Sequence, residues 1–399
     1  MIVPHGIRLT AREWLDRLVA FPSVSSDSNM DLIRCVGEYL ESWHVPFRLT
    51  QSVDGHKANL FATIAAHDGE ATRGGLVLSG HTDVVPVAAQ NWTSDPFTVT
   101  ERGGLLYGRG TSDMKGFCAV ALAQIPALVA NPLPVPLHIA LSCDEETGCQ
   151  GVPSLLVDLL AEGIRPRAAI IGEPTLMQVV NSHKGCYVME ALITGIPAHS
   201  SQPHRGVSAI SAAAKLIEVI EAEDRAAQAR AQDGSDFAPP RSSVTVTMID
   251  GGTATNIIPG RCRVAWDLRL APWDRAEEIL GRIRAKVEED IRPALKAQHP
   301  DADIEIRALA TVPPLRPDPD SALERLALTL TGHNRAIAVS YATEAGLFQQ
   351  DGMDTVICGP GSIDQAHQPD EFIDPVQLDL CADFLNRLFD KLRTGALTT

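Results

Sequence analysis

Hydrophobic positions follow two different patterns, one in the outer parts of the chain and one in its middle. In the outer parts, apolar runs that are nearly continuous begin at Gly75, Leu137, Ala168 and Thr355. Such runs are typical of strands that are covered on both faces, as in a parallel sheet. Segments with helical spacing of apolar residues separate them, at about residues 10–19, 32–43, 114–128, 152–160, 321–331 and 375–393. This alternation predicts an α/β domain with a mixed, mostly parallel sheet and helices on both faces.

Residues 183–313 have a different pattern of apolar and polar positions. Most of their strand candidates alternate apolar with polar residues, which predicts strands with one solvated face. These candidates cover residues 187–194, 244–249, 264–270 and 304–308, and amphipathic helices are predicted at 208–230 and 273–296. The order β-α-β-β-α-β is typical of a ferredoxin-like α+β domain. We therefore predict one domain from residues 1–182 and 314–399, into which residues 183–313 are inserted.

Composition narrows the classes of protein to consider. The chain has 399 residues, of which 45% are hydrophobic, and a formal charge of -16 from 34 Lys and Arg against 50 Asp and Glu. This charge disfavours nucleic acids and anionic membranes as partners, because both require a basic surface. No apolar run approaches the roughly 18 residues that span a bilayer, and the N-terminus lacks the pattern of a secretion signal. We expect a soluble, cytoplasmic protein whose eight cysteines are free thiols.

Side chains that can bind metals follow the predicted strands of the outer domain. In an open parallel sheet, functional groups gather at the carboxyl ends of the strands. Each of these residues alone would more often be a solvated charge or a satisfied histidine. Together with Asp113 they suit two Zn²⁺-like ions that share one carboxylate, although such ligands also accept Co²⁺ or Mn²⁺. The strand-end residues are His81, Asp83, Glu145, Glu146, Glu173 and His367.

The residue pattern leaves some roles open. Asp113 precedes a predicted helix, so it is either an ordinary N-cap or the shared ligand. Asp83 follows His81 by two residues, and we expect it to accept a hydrogen bond from the second imidazole nitrogen and so fix the tautomer. Glu145 and Glu146 are adjacent on a turn and point in different directions, so one can bind metal while the other acts as a base. Spacing does not decide which of the two takes which role.

The sequence around these residues resembles the M20 family of di-zinc peptidases and deacylases over essentially the whole chain. The blocks that carry the resemblance are Gly80-His-Thr-Asp-Val-Val-Pro86, Tyr107-Gly-Arg-Gly-Thr-Ser-Asp-Met-Lys-Gly116, Asp144-Glu-Glu-Thr-Gly148, Ile171-Gly-Glu-Pro-Thr175, Ala198-His-Ser-Ser-Gln-Pro203 and Ala254-Thr-Asn-Ile-Ile-Pro259. Within the family, residues 183–185, 342–348 and 359–372 are most similar to the acetylornithine deacetylases.

The resemblance implies a di-zinc exopeptidase-like fold and assigns the site. The implied ligands are His81, Asp113 and Glu173 for one ion and Asp113, Glu146 and His367 for the other. Glu145 becomes the general base, and a cis peptide bond follows the bridging aspartate. The resemblance also implies that the inserted domain acts as a lid and forms a homodimer, in which His199 donates to the oxyanion in the partner's active site. From the residues alone, a surface histidine is an equal alternative.

Three further residues are candidates for contacts with a substrate. Arg269 lies on the polar face of its predicted strand, where it can bind a carboxylate bidentately or remain a solvated arginine. Asn256 is expected in a loop near Arg269, in contact with the same carboxylate. Glu344 is either the partner of a cationic substrate side chain or a carboxylate at a helix N-terminus.

The resemblance implies a metal-dependent amidohydrolase with a small N-acyl amino acid as substrate. The expected reaction removes the acetyl group of N-acetyl-L-ornithine, a step of arginine biosynthesis. Alternatives within the family are succinyl-diaminopimelate desuccinylase, another N-acyl amino acid deacylase, or a dipeptidase. A non-catalytic metal-binding dimer is less favoured, because Glu145 and every implied ligand are present.

Overall fold

A computed structural model of the protein describes residues 6–397. Residues 1–5 and 398–399, the two ends of the predicted outer domain, lie outside the described residues. The N-terminal segment that we searched for a secretion signal is therefore described only in part. The described chain divides into two compact units. The first unit comprises the described part of Met1–Ser182 with Pro317–Ala338 and Thr343–Thr399, and the second comprises His183–Arg316 and Val339–Ala342.

The helices and strands alternate along the described residues as the hydrophobic patterns predict. The helices are α1 (Ala11–Val19), α2 (Met30–Ser42), α3 (Lys115–Ala123), α4 (Ile125–Ala130), α5 (Val152–Ala161), α6 (Ala209–Gln228), α7 (Ala276–Lys286), α8 (Arg292–Gln298), α9 (Ala322–Thr331), α10 (Ala345–Gln350) and α11 (Pro375–Arg393). The strands are β1 (Phe47–Gln51), β2 (Ala58–Ile64), β3 (Leu76–His81), β4 (Thr100–Arg102), β5 (Leu105–Tyr107), β6 (Leu137–Ser142), β7 (Ala168–Pro174), β8 (Val180–His183), β9 (Gly185–Thr194), β10 (Ala198–His199), β11 (Ser243–Gly251), β12 (Ile257–Ile258), β13 (Arg261–Leu270), β14 (Asp303–Val312), β15 (Ile337–Val339), β16 (Asp354–Gly359) and β17 (Phe372–Ile373).

An eight-stranded sheet with the order β1-β2-β6-β3-β7-β16-β8-β15 forms the centre of the first unit. Its pairings give β1, β6, β3, β7 and β16 one direction, whereas β2 and β8 run the opposite way. Every residue of β2, β3, β6 and β7 is buried, as their continuous apolar runs require. The predicted mixed, mostly parallel sheet is confirmed.

Helices cover both faces of this sheet, as two neighbouring residues of β3 illustrate. A Cβ atom at Gly80 would lie 2.7 Å from the sulfur of Cys118 on α3. The hydroxyl of Ser79, the preceding residue, is 3.5 Å from the carboxylate of Glu344 at the start of α10. Successive residues of a strand face opposite sides, so α3 and α10 lie on opposite faces of the sheet.

The second unit contains a separate antiparallel sheet with the order β11-β13-β9-β14. Helix α6 follows the first of these strands in the chain, and α7 and α8 follow the third, which is the predicted ferredoxin-like order. Trp266 and Leu268 are fully buried beneath the helices, whereas the side chain of Arg269 is partly exposed, as their alternation predicts. The predicted helix at 273–296 is interrupted by a π-helical turn, Val287–Ile291, between α7 and α8. None of the helices among residues 6–397 is both long and apolar enough to cross a bilayer.

Candidate metal centre

Four neighbouring parallel strands bring the candidate ligands to one edge of the main sheet. His81 is the last residue of β3, and Glu173 lies near the end of β7. The turn that contains Glu145 and Glu146 follows β6, and His367 lies beyond the end of β16. The strands β6, β3, β7 and β16 are adjacent in the sheet, so their carboxyl ends lie side by side.

Asp113 lies between the two histidines and contacts each with a different oxygen. Its Oδ1 is 3.0 Å from Nε2 of His81, and its Oδ2 is 3.3 Å from Nε2 of His367. His367 Nε2 is also 3.0 Å from a carboxylate oxygen of Glu146. Ligand atoms of His81, Asp113 and Glu146 all lie within 4.8 Å of one another. This geometry is suitable for a carboxylate that bridges two cations.

The interpretation of Asp113 as an ordinary N-cap is wrong. Helix α3 begins at Lys115, and its N-cap residue is Met114, whose side chain makes no capping hydrogen bond. The Asp113 carboxylate points to the imidazoles instead. The Asp113–Met114 peptide bond is cis, as the family resemblance implied.

The electrostatics of the centre reflect an excess of buried carboxylates. Burial raises the pKa of Glu145 and Glu173 well above the usual value, and the charges of neighbouring carboxylates raise it further. Burial acts in the same direction on Asp113, but hydrogen bonds to both imidazoles outweigh it and lower the pKa of that carboxyl. Hydrogen bonds to Asp113 and Glu146 raise the pKa of His367 to about 10.

The donor set fits divalent metal ions. Two imidazoles and several carboxylates with little exposure are the ligands that Zn²⁺ and similar ions prefer. A metal ion would balance these carboxylates, and its binding requires the neutral form of each imidazole. Glu145, Glu146 and Glu173 provide more carboxylate charge than the two histidines balance.

Asp83 acts differently from our expectation. Nδ1 of His81 lies 2.8 Å from the backbone carbonyl oxygen of Asp83, whereas the carboxylate is 3.9 Å away, too far for a hydrogen bond. The carbonyl oxygen therefore fixes the tautomer and leaves Nε2 to face Asp113. The carboxylate accepts from Ser25 and from the backbone amides of Glu145 and Glu146, at 2.7, 3.2 and 3.3 Å. It fixes the turn that carries both glutamates.

Glu344 is enclosed rather than exposed. It occupies the N-cap position of α10 but makes no side-chain capping bond, and only 1% of the residue is accessible. Burial raises its pKa to about 7. The structure thus places the carboxylate at a helix N-terminus, the second of the two predicted roles. Contact with a cationic substrate side chain stays a prediction.

The three site candidates in the second unit do not all lie together. His199 on β10 pairs with Ile257 on β12, and the amide of Ser200 donates to the Asn256 carbonyl at 2.9 Å. Asn256 therefore lies beside His199, near the start of β13. Arg269, at the other end of β13, forms an ion pair with Asp267 at 2.8 Å.

The expectation that Asn256 lies near Arg269 is wrong within a single chain, whereas their contact with one carboxylate stays a prediction. The strand separates its two ends by about 26 Å, at roughly 3.3 Å per residue. The short pairing of β10 with β12, which places Asn256 at the far end, involves two residues in each strand and gave no signal in the hydrophobic pattern.

Sequence reasoning also missed Glu371 and Arg109, which form a buried ion pair at 2.7 Å next to the Asp113 loop. Glu371 lies only four residues after His367, which was the signal available in the sequence.

The fold and the centre together define a metallohydrolase. The chain belongs to peptidase family M20/M25/M40, whose family model matches residues 77–391. Acetylornithine deacetylase of Yersinia pseudotuberculosis is 35% identical over 381 residues, covering 94% of this chain and 95% of that protein. Acetylornithine deacetylase of Proteus mirabilis is 35% identical over 383 residues, covering 94% of each chain. A metallo-carboxypeptidase of the M20 family from Sulfolobus solfataricus has the same fold, with a TM-score of 0.73, 18% identity and coverage of 96% of this chain and 99% of that one.

Proposed function

We propose that this protein is a zinc-dependent amidohydrolase that converts N-acetyl-L-ornithine and water into L-ornithine and acetate. The observation that carries the proposal is the contact of Asp113 with two histidines, next to Glu145, a glutamate whose pKa is raised by burial and by neighbouring carboxylates. The choice of substrate is supported by 35% identity to acetylornithine deacetylases over nearly the full length. This reaction is a step of arginine biosynthesis.

In this proposal the ligands are His81, Asp113 and Glu173 for one ion and Asp113, Glu146 and His367 for the other. Two Zn²⁺ ions, or Co²⁺ or Mn²⁺ in their place, would supply the Lewis acidity for attack of water on the amide carbonyl. Asp113, the proposed bridge, lies between the two imidazoles at 3.0 and 3.3 Å.

Glu145 is the proposed general base. Its backbone is held by the Asp83 carboxylate at 3.2 Å, and its own carboxylate lies 3.4 Å from the thiol of Cys149. Burial and the surrounding carboxylates raise its pKa, so it can accept a proton and retain it until the amine leaves. Glu145 would take a proton from the attacking water and deliver it to the nitrogen of ornithine as the carbon–nitrogen bond breaks.

The remaining roles are proposals of the same kind. Arg269 is proposed to bind the α-carboxylate of the substrate, and Glu344 to recognise its side-chain amine. His199 is proposed to act in the active site of a partner subunit in a homodimer formed through the inserted domain. Asp83 is proposed to support catalysis by fixing the turn of Glu145 and Glu146.

An assay of liberated amine tests the proposal. Protein stripped of metal and reloaded with Zn²⁺ or Co²⁺ should hydrolyse N-acetylornithine faster than succinyl-diaminopimelate, N-acetyl-methionine or dipeptides. Glu145→Gln should bind metal normally and lower kcat about 10²- to 10⁴-fold, the usual contribution of a general base. Glu162→Gln, on an exposed turn, is the matched control and should leave kcat unchanged.

Different outcomes contradict different parts of the proposal. Faster hydrolysis of another substrate in the panel would refute the assignment to ornithine but not the chemistry. Normal kcat in Glu145→Gln would refute the assignment of the base. A protein that hydrolyses none of these amides with any of the metals would be the non-catalytic alternative.

A further inference from the structure

Both oxygens of the Glu371 carboxylate accept hydrogen bonds from the loop that carries Asp113. Its Oε1 accepts from the backbone amides of Ser112 and Asp113, at 2.9 and 3.0 Å. Its Oε2 accepts from the amide of Gly110 at 3.0 Å and from the Arg109 guanidinium at 2.7 Å. The residue is 1% exposed. Four donors from five consecutive residues thus converge on one buried side chain.

Arg109 extends this contact to the segment that carries His367. Its Nη1 also donates to the carbonyl oxygen of Gln368 at 3.3 Å, and its Nη2 donates to the side-chain oxygen of Gln90 at 2.6 Å. The side-chain NH₂ group of Gln90 in turn donates to the backbone carbonyl oxygen of His367, at 2.9 Å. His367 has a φ of 63°, in the left-handed region, and its side chain is 53% exposed, so packing alone constrains it weakly.

These hydrogen bonds connect two segments that lie far apart in the chain. The two segments carry Asp113 and His367, which are proposed ligands of the same metal ion. Asp113 and His367 must keep a fixed separation if both are to bind the same ion, because metal–ligand distances tolerate errors of only about 0.2 Å. Partners of this kind, which orient ligands without touching the metal, are worth about 10- to 100-fold in metal affinity or activity.

We propose that Glu371 is a positioning residue that, through Arg109 and Gln90, holds the Asp113 loop and the His367 segment in the separation that a bridged metal pair requires. This inference rests on the proposed function of the centre as a metal site. It does not depend on which amide is hydrolysed.

The alternative is that Glu371 and Arg109 form a buried ion pair that only stabilises the fold. The positioning role and the purely structural role can be distinguished, because backbone pairing holds the two segments together independently of the Glu371 side chain. Strand β17, directly after Glu371, pairs with β5, directly before the loop, through Phe372 with Tyr107 and Ile373 with Leu106. The two segments therefore remain joined by backbone hydrogen bonds when the carboxylate is altered, and we expect the variant to fold.

The test compares Glu371→Gln with Asp370→Asn. The first change keeps the size of the side chain but turns an amide NH₂ toward backbone N–H groups. Asp370 is the matched control, because it precedes Glu371 and binds Thr93 and Arg102 but not the Asp113 loop. Zn²⁺ affinity is measured by competition with a chelator, without substrate, together with the thermal midpoint, kcat and KM.

We expect Glu371→Gln to bind Zn²⁺ about 10- to 100-fold more weakly than wild type, with a lower kcat and an unchanged KM. Excess Zn²⁺ should restore part of kcat, and Asp370→Asn should bind Zn²⁺ as wild type does. Circular dichroism establishes that each variant is folded at the assay temperature. If Glu371→Gln does not fold, Arg109→Lys, which keeps the charge but loses the planar fork, is measured in the same way.

Wild-type Zn²⁺ affinity in a folded Glu371→Gln variant, with only a lower thermal midpoint, would overturn the inference in favour of the structural ion pair. Equal losses of affinity in Glu371→Gln and Asp370→Asn would also overturn it. A selective loss of affinity in a protein that does not hydrolyse N-acetylornithine would support the positioning role and refute only the proposed substrate. Wild-type protein that binds no metal would refute both.

Discussion

Acid should destabilise the first unit through His138, a histidine at the centre of its sheet. The residue lies on β6, is fully buried, and stacks on Phe61 with ring centroids 5.0 Å apart. Its Nδ1 is 3.0 Å from the hydroxyl of Thr63 on the neighbouring strand. No carboxylate is among the causes of its pKa shift, and burial lowers that pKa to about 4.

The magnitude follows from the difference between the folded and unfolded states. In the unfolded chain a histidine titrates near 6.5, whereas in the folded protein the pKa of His138 is about 4. The unfolded state therefore binds the proton first, and stability is lost as the pH falls from about 6.5 to about 4. A shift of this size corresponds to about 3 kcal/mol in full, of which about 2 kcal/mol is already lost at pH 5.

Urea unfolding of metal-free protein at a series of pH values measures this contribution. His138→Asn keeps a polar atom near the Thr63 hydroxyl but does not titrate, so its unfolding free energy should fall by about 2 kcal/mol less than that of wild type between pH 7.5 and 5. His333→Asn, at an exposed position, should follow wild type. Parallel pH profiles for wild type and His138→Asn would refute the reasoning, since the buried imidazole would then carry no linked proton.

Three further predictions concern the centre and its support. Asp113→Ala should weaken the binding of both metal ions in a titration followed by calorimetry, whereas His367→Ala should weaken chiefly one; two normal sites in Asp113→Ala would refute bridging. Mixing Asp113→Ala with His199→Ala subunits should restore partial amidase activity in heterodimers, and no restoration would count against a shared site. Gly172→Ala should lower the free energy of unfolding by about 3 kcal/mol, because the added Cβ would lie 1.9 Å from the ring of Phe117 on α3. Gly281→Ala, where a Cβ meets no atom within 4 Å, should not destabilise the protein.

The strands and the approximate position of the centre were accessible from the sequence because they depend on local patterns. The continuous apolar runs that became β3 and β7 require burial on both faces, and parallel strands necessarily end at the same edge. The ferredoxin-like order of the inserted strands follows from alternation and helix spacing in the same way. These features do not depend on the exact direction of any side chain.

The supporting hydrogen bonds were not accessible, because they depend on dihedral angles and on contacts across long stretches of chain. The spacing of His81 and Asp83 is compatible with a hydrogen bond from the imidazole to either the carboxylate or the carbonyl oxygen of Asp83, and in the structure the carbonyl oxygen accepts it. Glu371 contacts amides more than 250 residues earlier in the sequence. No periodicity in the sequence specifies such a pair.

The environment of Asp113 explains why an isolated aspartate before a helix is the proposed shared ligand. Burial favours the neutral form of every carboxyl in the centre, and it raises the pKa of Glu145, Glu146 and Glu173. Only Asp113 among these four has its pKa lowered: burial acts against ionisation there too, but an imidazole contacts each of its oxygens. A carboxylate that remains ionised and presents one oxygen to each side is the one suited to bridge two cations. The cap that the local sequence suggested is lost because these two contacts, together with the amides bound to Glu371, direct the aspartate away from the helix.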